Sequence, residues 1–539
     1  MRRNRKESMQ QKIQQAIQLY QRGYQQQAEQ ICRNILIDYP RQPDALLLMG
    51  LLEKDRGSLK QARQLFQKGL KAAPKNLHLL NNLGSVENML NEPVKAEAYF
   101  IKALKIDPGY FQARHNLASL FESQHKYSKA RRLYQGVIKQ QPKFADALAN
   151  LSSILEKEHQ LDEAKSFAER ALEINPDHFI ARLTLANIAT KEKKFDEVIG
   201  QLLPLIQTQK LSPVNFAVAG GKCAYAHEIM KNYRIAFTFY RNSNQALHQA
   251  FKTQMQNTDS PYAPEAMRQV DKAIQNFDFS NRTADSKSPV FLIGFPRSGT
   301  TLLDQILSSH SLITVVEEKE NLIDAHIRFP ATEKGLSELL KANDSELKKI
   351  RQKYWRNVNR EIGTHKAGPV IIDKLPLNAA SLLHIYKLFP SAKIIVALRD
   401  PRDCVFSSYQ QRFGLNPAMF QLLNLDTAVT FYDQVMNIIV KIRNADALPM
   451  HFVRYEQVVE NFADEVRALT DFLDLEWEDS LFDYQTTAKS RHISTPSSSQ
   501  VIQPLYNSSI GKWKHYQEWI GASFEPLDGW VEEWGYQKE

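Results

Sequence analysis

The sequence predicts a multidomain chain, an all-α superhelix of stacked helical hairpins followed by an α/β domain with a central parallel sheet. Three observations predict it. Prolines recur at Pro40, Pro74, Pro108, Pro142 and Pro176, each 34 residues after the last, which marks an internal repeat. An apolar run at 289–295, PVFLIGF, leads into Pro296-Arg297-Ser298-Gly299-Thr300-Thr301 and then the helical pattern LLDQILSSH. Two later apolar runs, ending at Asp373-Lys374 and at Leu398, read as further buried strands. With 539 residues the chain exceeds what one ordinary core holds, so several domains are expected.

In the repeats, a small residue follows each proline at one fixed offset: Gly50, Gly84, Ala118, Ser152 and Ala186. A second series, Ala28, Ala62, Ala96, Ala130 and Ala164, keeps the same period. Small side chains there let two helices cross closely, and polar breaks such as Asp55–Ser58 divide helix from helix. Each unit is a helical hairpin closed by proline. The pattern resembles the tetratricopeptide repeat (TPR) over about residues 9–212, with a degenerate unit to 246. Such arrays imply binding of a protein or peptide on the concave face, a spacer or dimerisation surface being the plainer alternative.

The expected domains are therefore a TPR domain at 1–246, a linker at 247–288 and a second domain at 289–539. Composition agrees with globular structure, at 43% hydrophobic and 24% charged residues. The excess of 69 Lys and Arg over 60 Asp and Glu suits an anionic ligand without identifying one, and no nucleic-acid partner is expected. Cys32, Cys223 and Cys404 lie far apart, with the spacing of neither a zinc site nor a disulfide framework. No apolar run approaches a membrane span and the basic amino terminus runs into glutamines, so a soluble, cytoplasmic chain is expected.

The loop after the first strand carries the chemistry. Gly294 and Gly299 let backbone N–H groups turn inward, and Thr300-Thr301 open a helix whose positive dipole end faces the loop, so an anion should sit there. Its glycine spacing matches the nucleotide-triphosphate loop GxxxxGK(S/T), yet Thr300 replaces the lysine and Arg297 lies inside the loop. Losing that lysine weakens a phosphoryl-transfer reading. A guanidinium with backbone amides suits a less charged phosphosulfate without a metal.

PRSGTT after a buried strand resembles the sulfotransferases that use 3′-phosphoadenosine-5′-phosphosulfate (PAPS), and most closely the tyrosylprotein sulfotransferases, over about residues 289–515. Further stretches carry the resemblance in order: VIIDKLPLN, AKIIVALRDPRDCVFSSY, RYEQVV and SSSQVIQPLYNSSIGKW. It implies that Arg297, Ser298, Gly299, Thr300 and Thr301 hold the sulfonated phosphate. Arg399 and Ser407 fall at positions for the 3′-phosphate, Tyr455 beside the adenosine, and Lys512 on a phosphate. Lys374 would stabilise charge between sulfur and the leaving phosphate, and Ser497, or Ser498 if the loop slips by one, would be the catalytic serine. The plainer reading of Arg399 is a structural pair with Asp400 or Asp403. Asp373, at the end of its strand, also fits a magnesium ligand of a kinase or NTPase.

Sulfuryl transfer needs a base for the acceptor hydroxyl. VVEEKENL offers Glu317, Glu318 and Glu320, which residue type alone leaves level; the resemblance selects Glu318. Where the family carries an arginine that reads acidic peptides, this chain has Glu320, which disfavours a tyrosine in an acidic context as acceptor. The expected activity is PAPS-dependent transfer to an acceptor hydroxyl, a protein tyrosine or another protein-bound hydroxyl, with no metal. A P-loop kinase or NTPase, or a TPR scaffold with an inactive sulfotransferase domain, are the alternatives.

Overall fold

The computed structural model describes residues 2–255, 260–279, 288–363, 367–486 and 509–538. The chain divides into two compact units, Met1–Gln209 and Lys210–Glu539.

The first unit is six helical hairpins in sequence, from Arg2–Gln21 with Gln25–Asp38 to Phe179–Lys191 with Phe195–Gln207. The five periodic prolines fall in the connections between hairpins. The small residues act as expected: a Cβ on Gly50 would lie 2.3 Å from the Phe66 ring, and one on Gly84 would lie 2.6 Å from Phe100. A second period emerges in the turns inside the hairpins. Gly23, Gly57, Asn91, His125, His159 and Lys193, again 34 residues apart, all have left-handed backbone, with φ from 57° to 85°. The N–H of the following residue then reaches back to close the preceding helix, as Ser58 does to the Glu53 carbonyl at 2.8 Å. Buried side chains from Leu80 to Ile188 form one continuous cluster, so each hairpin buries its apolar face on its neighbours.

The boundary lies earlier than the sequence suggests. Helices Pro213–Ile229 and Tyr233–Met255, expected to end the repeat array, belong to the second unit, and the helix Pro264–Gln275 fills part of the expected linker at 247–288. Their side chains explain this. Phe237 stacks on Trp519, Tyr233 stacks on His515, and the Asn244 amide donates to the Tyr409 carbonyl at 2.8 Å.

Among the described residues the second unit is built on five strands: β1 (Val290–Gly294), β2 (Ile313–Glu317), β3 (Val370–Lys374), β4 (Ile394–Leu398) and β5 (Met450–Arg454). They form one parallel sheet in the order β2-β3-β1-β4-β5. β1 and β4 are buried throughout, as their unbroken apolar runs require. The chain leaves β1 toward β2 on one side and leaves β4 toward β5 on the other. That reversal opens a crevice at the carboxyl ends of β1 and β4, where ligands bind in such sheets.

Candidate active site

β1 ends where a side chain cannot be placed: a Cβ on Gly294 would meet Ser298 Oγ at 2.6 Å and the Ala397 carbonyl of β4 at 2.7 Å. The loop beyond turns through two left-handed residues, Arg297 (φ 71°) and Gly299 (φ 102°), and enters the helix Thr300–Leu307. A non-glycine residue in that region costs free energy, so Arg297 is held there by its surroundings. The Pro296 carbonyl accepts from Ser408 Oγ at 2.9 Å and from Cys404 Sγ at 3.2 Å, and Arg297 Nε donates to Ser407 Oγ at 3.1 Å. Ser298 is buried, and its hydroxyl has no hydrogen-bond partner among the described residues.

The chain following β4 supplies the opposite wall. Arg399 is 7% exposed; its guanidinium donates to the Arg297 carbonyl at 3.4 Å and lies over the Tyr455 ring, 5.3 Å from its centre. Its Nε is buried without a hydrogen-bond partner among the described residues. Tyr455 packs against Gly299, where a Cβ would come within 3.0 Å of the ring, and its hydroxyl shares a hydrogen bond with Ser509 at 3.0 Å. Of the two carboxylates beside Arg399, Asp400 pairs with Arg402 at 2.7 Å, whereas Asp403 stands 3.8 Å from Arg399. Burial raises the Asp403 pKa, opposed by Arg399 and by the N–H groups of Trp513 and Gly511 that it accepts at 3.0 and 2.6 Å.

A second cluster forms where β2 and β3 end. The Lys374 side chain is fully buried, with Nζ 3.0 Å from Glu318, 3.3 Å from Glu317 and 3.7 Å from Asp304. Glu318 has left-handed backbone (φ 48°), and its N–H donates to the Lys374 carbonyl at 2.7 Å. Its side chain is 34% exposed against 13% for Glu317, so Glu318 is the carboxylate that reaches water. Burial pushes the Glu317 pKa up, with Lys374 opposing. Asp373 points to the other side of β3, as strand alternation demands. It accepts from Tyr354 OH at 2.9 Å and Asn321 Nδ2 at 3.1 Å, and burial raises it to about 7. A carboxylate so enclosed does not serve as the exposed magnesium ligand that the kinase alternative requires.

A strand, a tight turn with an arginine in left-handed backbone and a second arginine after β4 stand at the switch point of a parallel sheet, and the family model described as "Sulfotransferase family" matches residues 289–479. Residues 289–479 are a sulfotransferase-family domain. Three tetratricopeptide repeat models match residues 47–111, 90–155 and 145–178. An uncharacterized protein of Aquifex aeolicus (strain VF5) is 28% identical over 349 residues, 61% of this chain and 44% of that protein. Protein-tyrosine sulfotransferase A of Caenorhabditis elegans is 25% identical over 253 residues, 45% of this chain and 64% of that one. Protein-tyrosine sulfotransferase 1 of Homo sapiens is 28% identical over 235 residues, 42% and 62% respectively. The chain thus spans less than two thirds of the length of these relatives.

Within the sulfotransferase domain, the structure gathers Arg297, Ser298, Gly299, Arg399, Ser407 and Tyr455 around one loop, with Thr300 and Thr301 opening its helix. Lys374 and Glu318 form the second group, on β3 and after β2. Lys512 lies beyond the matched stretch; its turn is fixed through Asp403, and its ammonium meets Glu228 at 2.6 Å. Ser497 and Ser498 lie outside the described residues. Sequence reasoning missed Asp304 and Glu228. Asp304 is fully buried in the helix Thr300–Leu307, and a lone acid within LLDQIL was the available signal. Among the described residues, no helix is long and apolar enough to cross a membrane.

Proposed function

We propose that this chain transfers a sulfuryl group from PAPS to an acceptor hydroxyl on a protein or peptide that the TPR array recruits. The observation that carries the reading is the convergence of Arg297 and Arg399 on the loop after β1, with the buried Arg399 Nε and Ser298 Oγ each lacking a hydrogen-bond partner among the described residues. Buried donors without acceptors are costly, and a phosphate or sulfonate oxygen would satisfy them. The residues therefore fit the donor.

When bound, PAPS supplies the sulfuryl group. Arg297, Ser298, Gly299 and the first helical turn at Thr300 and Thr301 would hold its sulfonated phosphate, Arg399 and Ser407 its 3′-phosphate, and Tyr455 its adenine. The Lys374 side chain stands among three acidic side chains, Asp304, Glu317 and Glu318. Burial favours keeping the proton on Glu317. That leaves the more exposed Glu318 to take the acceptor's proton, with Lys374 steadying negative charge beside it. Adenosine 3′,5′-bisphosphate is what departs when the sulfuryl group moves; we assign Ser497 to that leaving group, and the cytoplasm to the protein, where the separate thiols Cys32, Cys223 and Cys404 stay reduced.

The test is incubation of the full chain with sulfur-labelled PAPS and a cell lysate. Label is expected in the protein fraction with the wild-type chain and absent with Arg297→Ala. Label in neither, or equal labelling by both, overturns the proposal.

A further inference from the structure

Glu228 lies near the end of the helix Pro213–Ile229, within the second unit but outside the stretch that the sulfotransferase model matches. Its side chain is 7% exposed and has four partners: Gln410 Nε2 at 2.5 Å, Lys512 Nζ at 2.6 Å, Tyr516 OH at 2.7 Å and Tyr240 OH at 3.4 Å. A buried carboxylate persists only where such partners offset its desolvation. Three are neutral donors; the fourth is a lysine whose side chain is 31% exposed, so the pair joins a buried acidic side chain to a partly exposed lysine.

Two ties bring this lysine to the groups assigned to the 3′-phosphate. Gln410 follows Ser407 by three residues on the helix Pro401–Gln410, so one helix face carries both the partner of Arg297 and a partner of Glu228. The backbone on either side of Lys512 is fixed too, because Gly511 and Trp513 donate to Asp403, which stands 3.8 Å from Arg399.

We infer that Glu228 is a positioning residue for the donor: it holds the Lys512 ammonium at one point so that its remaining N–H groups meet the 3′-phosphate beside Arg399 and Ser407. The inference rests on the donor reading above. A lysine already held gives up less side-chain freedom when the phosphate arrives than a loose one does.

Calorimetric titration of the full chain with adenosine 3′,5′-bisphosphate and with adenosine 5′-monophosphate tests it. Glu228→Gln is expected to weaken the bisphosphate roughly tenfold while leaving the monophosphate within about twofold of wild type. In a Lys512→Met background the same change is expected to add nothing. Equal weakening of both ligands, which a general packing defect produces, overturns the inference, as does a full effect that survives in Lys512→Met. Should Glu228→Gln not fold, Glu228→Asp, which withdraws the charge from Lys512, is expected to show the same selective loss, and a non-selective loss overturns it. A wild-type chain that binds the bisphosphate alongside an unaffected variant sinks only this inference; a wild-type chain that does not bind it sinks the donor reading as well.

Discussion

Arg297 Nε donates to Ser407 Oγ at 3.1 Å, joining the loop after β1 to the helix after β4 across the crevice where the sheet reverses direction. The bond fixes a guanidinium whose backbone sits in a disfavoured region, and fixed charge is what a transferring oxyanion group needs.

Ser407→Ala removes that acceptor and leaves the arginine to find its own position. The variant is expected to lose about tenfold in kcat/KM for PAPS, near the lower end of what one charge-assisted hydrogen bond is worth. Arg297→Lys is expected to lose more, at least about a hundredfold, because an ammonium cannot present the planar fork. Steady-state kinetics on the two variants checks the order, and a Lys variant as active as Ser407→Ala contradicts it.

Glu318→Gln is expected to lower the transfer rate by about a hundredfold or more while adenosine 3′,5′-bisphosphate binds as before. Glu317→Gln keeps a neutral group where burial already favours the proton, so it is expected to retain most activity. Single-turnover transfer measured beside nucleotide affinity separates them; the reverse pattern moves the base to Glu317.

How much of this site was legible in the sequence follows from where each contact lies along the chain. Arg297 and Thr300 sit in a local strand-turn-helix pattern, and the buried strands β1 and β4 announce themselves as unbroken apolar runs, so loop and crevice could be read directly. The edge strands β2 and β5 carry no such mark, because ITVVE and MHFVR mix polar with apolar residues on half-exposed edges. The period of 34 gave the hairpins, but not the left-handed turns inside them, since only two of those six positions are glycine. Glu228 was illegible because its partner Tyr516 lies 288 residues away, and nothing local marks one helical glutamate as buried. Asp373 shows the opposite: its type and place suggested a metal ligand, and strand alternation turned it into the core.

Asp373 also sets a pH dependence. Unfolded, its carboxyl ionises near 3.8; folded, burial raises it to about 7. Between those values the unfolded chain has released a proton that the folded chain keeps, so stability from this group falls as pH rises through that window. Asp373→Asn, whose amide oxygen still accepts from Tyr354 and Asn321, is expected to flatten the decline and to be more stable than wild type at pH 8. Denaturant melts at several pH values check it, and an unchanged slope contradicts it.

In the repeats, Gly50→Ala places a methyl 2.3 Å from the Phe66 ring and is expected to destabilise the first unit by about 1–3 kcal/mol. Gly200, with nothing within 4 Å of an added Cβ, is the control and is expected to be neutral or stabilised by about 1 kcal/mol on substitution by alanine. Thermal unfolding of the two variants decides the point.

Metal-independent donor binding at the loop after β1 is tested most directly by calorimetric titration of the full chain with adenosine 3′,5′-bisphosphate in buffer containing EDTA. One site per chain is expected, lost in both Arg297→Ala and Arg399→Ala. No binding by the wild-type chain, or binding of ATP that requires magnesium at the same loop, contradicts it.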